Sequence, residues 1–242
     1  MFDGDTTVDE TEVDITAAGL QIASPGGVGS GANALETSVD RLSVAAGSSS
    51  VTIVESTGIV LGTVSTSVNR VGLDGVVAAT TAADQSNVVG STIVVRTLAG
   101  SLESVSGGAV TATGNLLLRA AGTDSDLTLG AAVSSGGNVS IEAGRDLLQN
   151  ANVTATTSTR TMDLRAVRNP AQARGVTTST VNGNASLTAG GTLTLEGVSA
   201  GAGRVALFGA GIVDGDADGD TEVDVLANGV RFQRPVARSA PP

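Results

Sequence analysis

One spacing constrains this chain more than any other feature. Leu118, Ile141, Leu164 and Leu187 stand 23 residues apart, each at the centre of a similar six-residue phrase. The phrases are Asn115-Leu116-Leu117-Leu118-Arg119-Ala120, Asn138-Val139-Ser140-Ile141-Glu142-Ala143, Thr161-Met162-Asp163-Leu164-Arg165-Ala166 and Asn184-Ala185-Ser186-Leu187-Thr188-Ala189. Val95 extends the column backwards by 23, and Arg204-Val205-Ala206-Leu207-Phe208-Gly209 follows after 20. A fixed period of this size marks stacked repeats, in which each unit buries its apolar face against its neighbours. Within each phrase the apolar residues alternate, which is the two-residue period of a strand. One strand per repeat, always in the same direction, predicts a parallel β-solenoid.

Second and third short strands are expected in each rung, at Leu127-Leu129 and Leu193-Leu195, and at Ala131-Val133, Val153-Ala155 and Val198-Ala200. Three strands in 20–23 residues is the circumference of a three-sided β-helix. Before residue 92 the pattern is weaker. Leu20 and Ile22 precede Leu42 and Val44 by 22, while Val51-Val54 and Ile59-Leu61 read as further strands. Val71 and Leu73 precede Ile93 and Val95 by 22. Segments 24–35 and 80–91 are rich in small and polar residues and are expected to loop out, as is 167–174, where Pro170 cannot donate to a ladder.

The columns also predict how rungs are held together. Asn115, Asn138 and Asn184 share one, each preceded by Gly, and Asn suits both axial hydrogen bonding and the left-handed conformation. Arg119, Glu142 and Arg165 share an outward column of alternating sign, worth ~0.2–1 kcal/mol per exposed pair.

Composition excludes several functions. Of 242 residues 40% are hydrophobic, but there is no Tyr, Trp, His or Cys, and all 13 basic residues are Arg. Val, Ala, Thr and 33 Gly suit close-stacked strands around a narrow core. Without Cys there is no disulfide framework. A net charge of −11 argues against nucleic acid as a partner. No run approaches the ~20 apolar residues of a membrane-spanning helix.

A second, longer period is present. Thr11-Glu12-Val13-Asp14 matches Thr221-Glu222-Val223-Asp224 at an offset of 210, within two Asp-rich passages that hold 12 of the 24 carboxylates. The expectation is a single elongated solenoid over residues 1–233, containing one large repeat and the start of the next, with an unstructured tail at 234–242. At roughly 21 residues per rung this is about ten rungs, and a rod near ~50 Å long per large repeat.

Phrases such as Gly136-Gly137-Asn138-Val139-Ser140-Ile141-Glu142-Ala143-Gly144 and Ala189-Gly190-Gly191-Thr192-Leu193-Thr194-Leu195 resemble the repeats of filamentous-haemagglutinin-like exoproteins and autotransporter-type adhesins. The region Leu35-Glu36-Thr37-Ser38-Val39-Asp40 and the Asp-rich passages resemble giant tandem-repeat bacterial surface proteins of that kind. The resemblance implies an all-β, right-handed parallel β-helix, exported to the bacterial surface or secreted. There it would act as a stalk or adhesion surface. Neighbouring repeats of the same chain, and host or cell-surface glycans or proteins, would be its partners. No segment matches a secretion domain. The competing architecture is a tandem of immunoglobulin-like β-sandwiches, which share the Val/Thr/Gly composition but have no reason to keep a 23-residue column.

Three chemistries compete with plain structural roles. Asp214-x-Asp216-x-Asp218-Gly219 opens like a Ca²⁺ loop, with Asp220, Glu222 and Asp224 available to close it. The bidentate Glu at the twelfth position is replaced by Val225, and the copy at Asp3, Asp5, Asp9, Glu10 and Glu12 lacks the strict spacing. Calcium is the one cofactor this spacing suggests. Polysaccharide-cleaving enzymes of this fold need paired carboxylates and sugar-stacking aromatics. Here the compact candidates are Asp124 with Asp126 and Asp146 with Arg145, each simpler as a turn, and no residue is assigned a catalytic role. A carbohydrate- or ice-binding face would need Thr ranks; Thr156-Thr157, Thr177-Thr178-Ser179-Thr180 and Thr188 are numerous but share no 23-residue column.

Overall fold

A computed structural model describes residues 12–31, 33–216 and 223–233. It contains strands and no helix among the described residues. Twenty-four strands join one continuous hydrogen-bonded assembly in which every pairing is parallel, coiled into about nine turns. Among the described residues the only antiparallel pair of strands is a separate hairpin, Ser67–Val71 with Val77–Thr81. Tandem sandwiches, built from antiparallel strands, are thereby excluded.

The coil has three walls. The first is built from Val51–Glu55, Ile93–Thr97, Leu116–Ala120, Val139–Ala143, Met162–Ala166, Ala185–Ala189, Arg204–Phe208 and Gly229–Gln233. The second runs from Ile59–Leu61 through Leu102–Ser104, Leu127–Leu129, Leu147–Gln149, Pro170–Gln172 and Thr192–Leu195 to Gly211–Asp214. The third runs from Val88–Gly90 through Val110–Ala112, Val133–Ser135, Val153–Ala155, Thr178–Thr180 and Val198–Ser199 to Val225–Leu226. At the N-terminal end the long strands Ile15–Ala23 and Leu35–Ala45 pair along their lengths, and the second continues into all three walls.

Alternation explains which side chains enter the core. On the first wall Leu35, Ile53, Val95, Leu118, Ile141, Leu164, Leu187 and Leu207 form one buried column in register. Each such residue contributes ~1.5–3 kcal/mol by leaving water. At the next inward position the column narrows to Ala120, Ala143, Ala166 and Ala189, where the chain turns toward the second wall. The third wall supplies Val44, Val88, Val110, Val133, Val153, Thr178 and Val198. The core is one contiguous cluster running the length of the coil.

The spacing of Leu20 and Ile22 to Leu42 and Val44 is confirmed as pairing. That of Val71 and Leu73 to Ile93 and Val95 is not: Ile93 and Val95 pair with Val51 and Ile53. Val71 and Leu73 belong to the hairpin and its tip, which is inserted between the second and third walls. The insertion is close to one rung in length, so it preserves the count while contributing nothing to the stack. This is why about ten rungs were expected and about nine are found.

The loops also differ from expectation. Val28, within 24–35, is fully buried and bridged to Val51, and Val88–Gly90, within 80–91, is a strand of the third wall. The continuous exposed stretch is 65–84. Segment 167–174 holds the strand Pro170–Gln172. Pro170 takes the first strand position, where its ring is buried; three pairs join this strand to the preceding rung but only one, Ala171 with Thr194, to the next. The third strand of the 116–135 rung is Val133–Ser135, two residues later than expected.

The Asn column does bond along the axis, but through backbone donors. Asn115 Oδ1 accepts from the Asn138 N–H, Asn138 Oδ1 from the Thr161 N–H and Asn184 Oδ1 from the Arg204 N–H, each at 2.9 Å. None of these three is left-handed; among the described residues the non-glycine positions with positive φ are Asn87, Thr159 and Asn182. The preceding glycines have a steric reason instead. A Cβ on Gly137 or Gly183 would overlap the backbone of the previous rung at Gly114 or Arg160.

Candidate functional site

Because three-residue strands of the third wall point two side chains inward and one outward, the outward residues form a single file. Thr111, Ser134, Thr154, Ser179 and Ser199 are paired rung to rung. Parallel strands place successive hydroxyls ~4.8 Å apart. Ser179 Oγ donates to Thr154 Oγ1 at 3.3 Å, and Thr113 and Thr156 lie exposed beside the file. The result is a flat, uncharged hydroxyl rank over five rungs. Sequence counting missed it because steps along this file are 23, 20, 25 and 20 residues. The threonines singled out from sequence scatter: Thr178 and Thr180 are buried, Thr156 and Thr157 stand at a corner, and Thr188 faces outward from the first wall.

The outer side of the first wall carries charge. Arg96, Arg119, Glu142, Arg165 and Thr188 stand in one register column. Arg119 Nε lies 3.3 Å from Glu142 Oε2, so part of the expected alternation is an ion pair. At its upper end the column places Arg96 beside Arg119. Burial, and then this like-charged neighbour, lower the Arg96 pKa from its ordinary value. The same face carries a second outward column in which Asp163 stands between Ser140 and Ser186.

At the corner leading into the second wall, a ladder of side-chain acceptors climbs the coil. The Asp126 N–H donates to Ser101 Oγ at 3.0 Å, the Asp146 N–H to Asp126 Oδ1 at 3.1 Å, the Asn169 N–H to Asp146 Oδ1 at 3.0 Å and the Thr192 N–H to Asn169 Oδ1 at 2.9 Å. Arginines of the following rung clamp both carboxylates. Arg145 Nε donates to Asp126 Oδ1 at 2.7 Å and Arg168 Nε to Asp146 Oδ1 at 2.9 Å, and each Nη2 bonds the second oxygen. The Arg145 hydrogen bond holds Asp126 below its ordinary pKa, and the Arg168 bond does the same for Asp146. Both carboxylates belong to the compact candidates for acid–base chemistry, and Asp124, the partner of Asp126 in that expectation, lies exposed in a turn. A carboxyl held ionised in this way is a poor general acid near neutrality.

The acidic C-terminal passage is divided. Asp214 ends the second-wall strand Gly211–Asp214, and its Oδ1 accepts from the Asp216 N–H at 3.1 Å. The Asp224 carbonyl accepts from the Val198 N–H at 2.6 Å, which starts the third-wall strand Val225–Leu226. Asp218, Asp220 and Glu222, the middle of the proposed Ca²⁺ loop, lie outside the described residues, as do Asp3, Asp5, Asp9 and Glu10. Among the described residues no three carboxylates gather into a metal-binding group. The two matching passages also occupy different places. Ile15 lies opposite Thr37, at the end of the first wall, whereas Val225, its counterpart, stands on the third wall opposite Val198.

Two buried polar groups had no sequence signal beyond their own letters. Glu55 is fully buried on the first wall. Its Oε2 accepts from Thr37 Oγ1 (2.8 Å) and the Val39 N–H (3.0 Å), and its Oε1 from the Thr57 N–H (3.0 Å) and Thr57 Oγ1 (2.7 Å). Gln149 and Gln172 replace leucines in the second-wall column. Both groups join rungs internally. Among the described residues no helix is long and apolar enough to cross a membrane. No protein-family model, curated protein or solved structure matches the chain.

Proposed function

We propose that this chain is a structural repeat segment of a large bacterial cell-surface or secreted protein, acting as a stalk or an adhesion surface. The observation that carries this reading is the unbroken rung-to-rung register of the coil, from Ile15 to Gln233. A rod held by backbone ladders, by axial Asn and Asp acceptors and by a continuous apolar core resists both bending and slippage. Its chemistry is spent on internal bonds, as at Asp126, Asp146 and Glu55. Pulling single molecules from residues 12 and 233 tests it. A load-bearing stalk loses rungs in steps at forces well above those that extend a flexible chain; smooth extension at low force overturns the reading.

The hydroxyl rank favours a second reading, in which the third wall binds an ordered hydroxyl lattice such as a glycan or ice. Thr154→Lys places a charge in the middle of the file. If this reading holds, the wild type inhibits ice recrystallisation or is retained on a neutral glycan surface, and the variant does neither.

A further inference from the structure

The outward faces of the three walls differ in charge. Among the described residues from Val51 onward, the strands of the second wall carry Glu103 and Asp214, and those of the third wall no ionisable side chain. The first-wall strands hold Arg96, Arg119, Arg165, Arg204 and Arg231, against two outward carboxylates, Glu142 and Asp163. This face is therefore cationic although the chain as a whole carries −11. Half of the 24 carboxylates lie in the two Asp-rich passages, before Ile15 and after Val213. Arg165 stands two rungs, ~9.6 Å, from the rung that ends at Asp214, beyond the ~8 Å over which exposed charges act at physiological salt.

Shape accompanies the charge. Where the first wall turns toward the second, Ala143, Gly144, Ala166 and Gly190 leave an open cleft of about 540 Å³. Arg119, Glu142, Arg165 and Thr188 form one bank of it over four successive rungs, ~14 Å from first to last. Long side chains beside small ones make the depression, and the register repeats it at each rung. A periodic surface of this kind matches a periodic ligand lying along the axis.

We infer that this cleft binds an extended acidic glycan, one whose carboxylates fall on every second sugar. Arg119 and Arg165 are two rungs or ~9.6 Å apart, and a pyranose ring in an extended chain is about as long as one ~4.8 Å rung. Each guanidinium offers the planar fork that grips a carboxylate. Glu142 stands between them, where an uncharged sugar presents hydroxyl donors to it. Nucleic acid fits this face poorly. A duplex carries a charge every ~1.7 Å, which sets phosphates against Glu142 and Asp163. A single strand needs aromatic platforms for its bases, and the outward positions from Val94 to Thr188 supply none.

This site supplies the adhesion surface of the function proposed above and rests on that reading. Calorimetric titration with hyaluronan oligomers, which carry a carboxylate on every second sugar, tests it; polygalacturonate, dextran and oligo-dT are the comparisons. The wild type binds hyaluronan with a dissociation constant on the order of 100 µM at low salt, binds polygalacturonate several-fold more weakly, and ignores dextran. Arg119→Ser combined with Arg165→Ser weakens hyaluronan binding by roughly tenfold or more. Arg70→Ser, which removes an exposed charge from the hairpin, binds as the wild type does. Glu142→Gln removes the repulsion between the two arginines and tightens polygalacturonate binding several-fold, a gain that misfolding cannot produce. Any of the following overturns the inference: no heat with hyaluronan at ~1 mM, an unchanged affinity in the double arginine variant, an equal loss in Arg70→Ser, no gain for polygalacturonate in Glu142→Gln, or oligo-dT binding more tightly than either glycan. A chain that fails here yet still loses rungs in steps under force keeps the stalk reading, so the two fail separately.

Discussion

Gln172 donates through Nε2 to Oε1 of Gln149, one rung away at 3.2 Å, inside the apolar interior of the coil. Thr178 Oγ1 closes the triangle, donating to Gln149 Oε1 at 2.9 Å and accepting from Gln172 Nε2 at 3.0 Å. Gln172 Oε1 in turn accepts from the N–H groups of Glu196 and Gly197 at 2.9 and 3.2 Å. The pair thus satisfies the backbone where the second wall passes into the third. Replacing Gln172 by Leu strands two N–H donors, at ~1–3 kcal/mol for each that stays buried. Urea unfolding is expected to show that loss, with Gln172→Glu no better because it removes the amide donor.

Glu55 is a fully buried carboxylate with four hydrogen bonds, from Thr37, Val39 and Thr57. Glu55→Ala is expected to cost on the order of 3 kcal/mol, because it leaves buried donors without an acceptor. Glu55→Gln keeps one oxygen and loses less. Hydrogen exchange at Val39 and Thr57 should speed up in both, and a wild-type exchange pattern in Glu55→Ala would contradict the assignment.

Acid should loosen the corner ladder. Asp126 and Asp146 have folded pKa values depressed by Arg145 and Arg168. Their contribution is therefore fully present above the unfolded aspartate value of ~3.9 and is lost as pH falls below it through the folded values. With arginines 37% and 57% exposed, solvent screens each pair and its contribution is small. The double variant Asp126→Asn, Asp146→Asn should flatten the acid limb of a stability–pH curve and leave the region above pH ~5 nearly parallel to wild type.

Leu164 sits in mid-column between Ile141 and Leu187 with no exposure. Leu164→Ala is expected to cost about 2–5 kcal/mol. Each rung contacts only its neighbours, so the damage should be local. Exchange protection should fall across residues 139–189 and persist near Val44 and Val88.

Much of the fold was legible because a wall repeats the same environment at every rung. Ile141 and Leu164 meet equivalent neighbours, so the periodic column carries its own contact map. Irregular corners were not legible. The hydroxyl file from Thr111 to Ser199 was hidden by changes in corner length, and the inserted hairpin mimicked a rung. Pro170 reads as a break in sequence because its missing N–H is a local fact, whereas its place at the start of a strand depends on the rung before it. In sequence Asp126 pairs with Asp124 and Asp146 with Arg145, each simplest as a turn; the partners Arg145 of Asp126 and Arg168 of Asp146 lie about 20 residues on and meet them only because one turn of the coil returns the chain to the same corner.

By itself the sequence determined the parallel coil, its first-wall column and the axial role of Asn115, Asn138 and Asn184, since strand alternation and a fixed period are properties of the chain's own order. Only the tertiary structure decided which residues share the second and third walls, where the hairpin leaves the coil, and which polar groups are buried. Those depend on corner geometry, and each residue added or lost at a corner shifts every later residue relative to the rung beneath it.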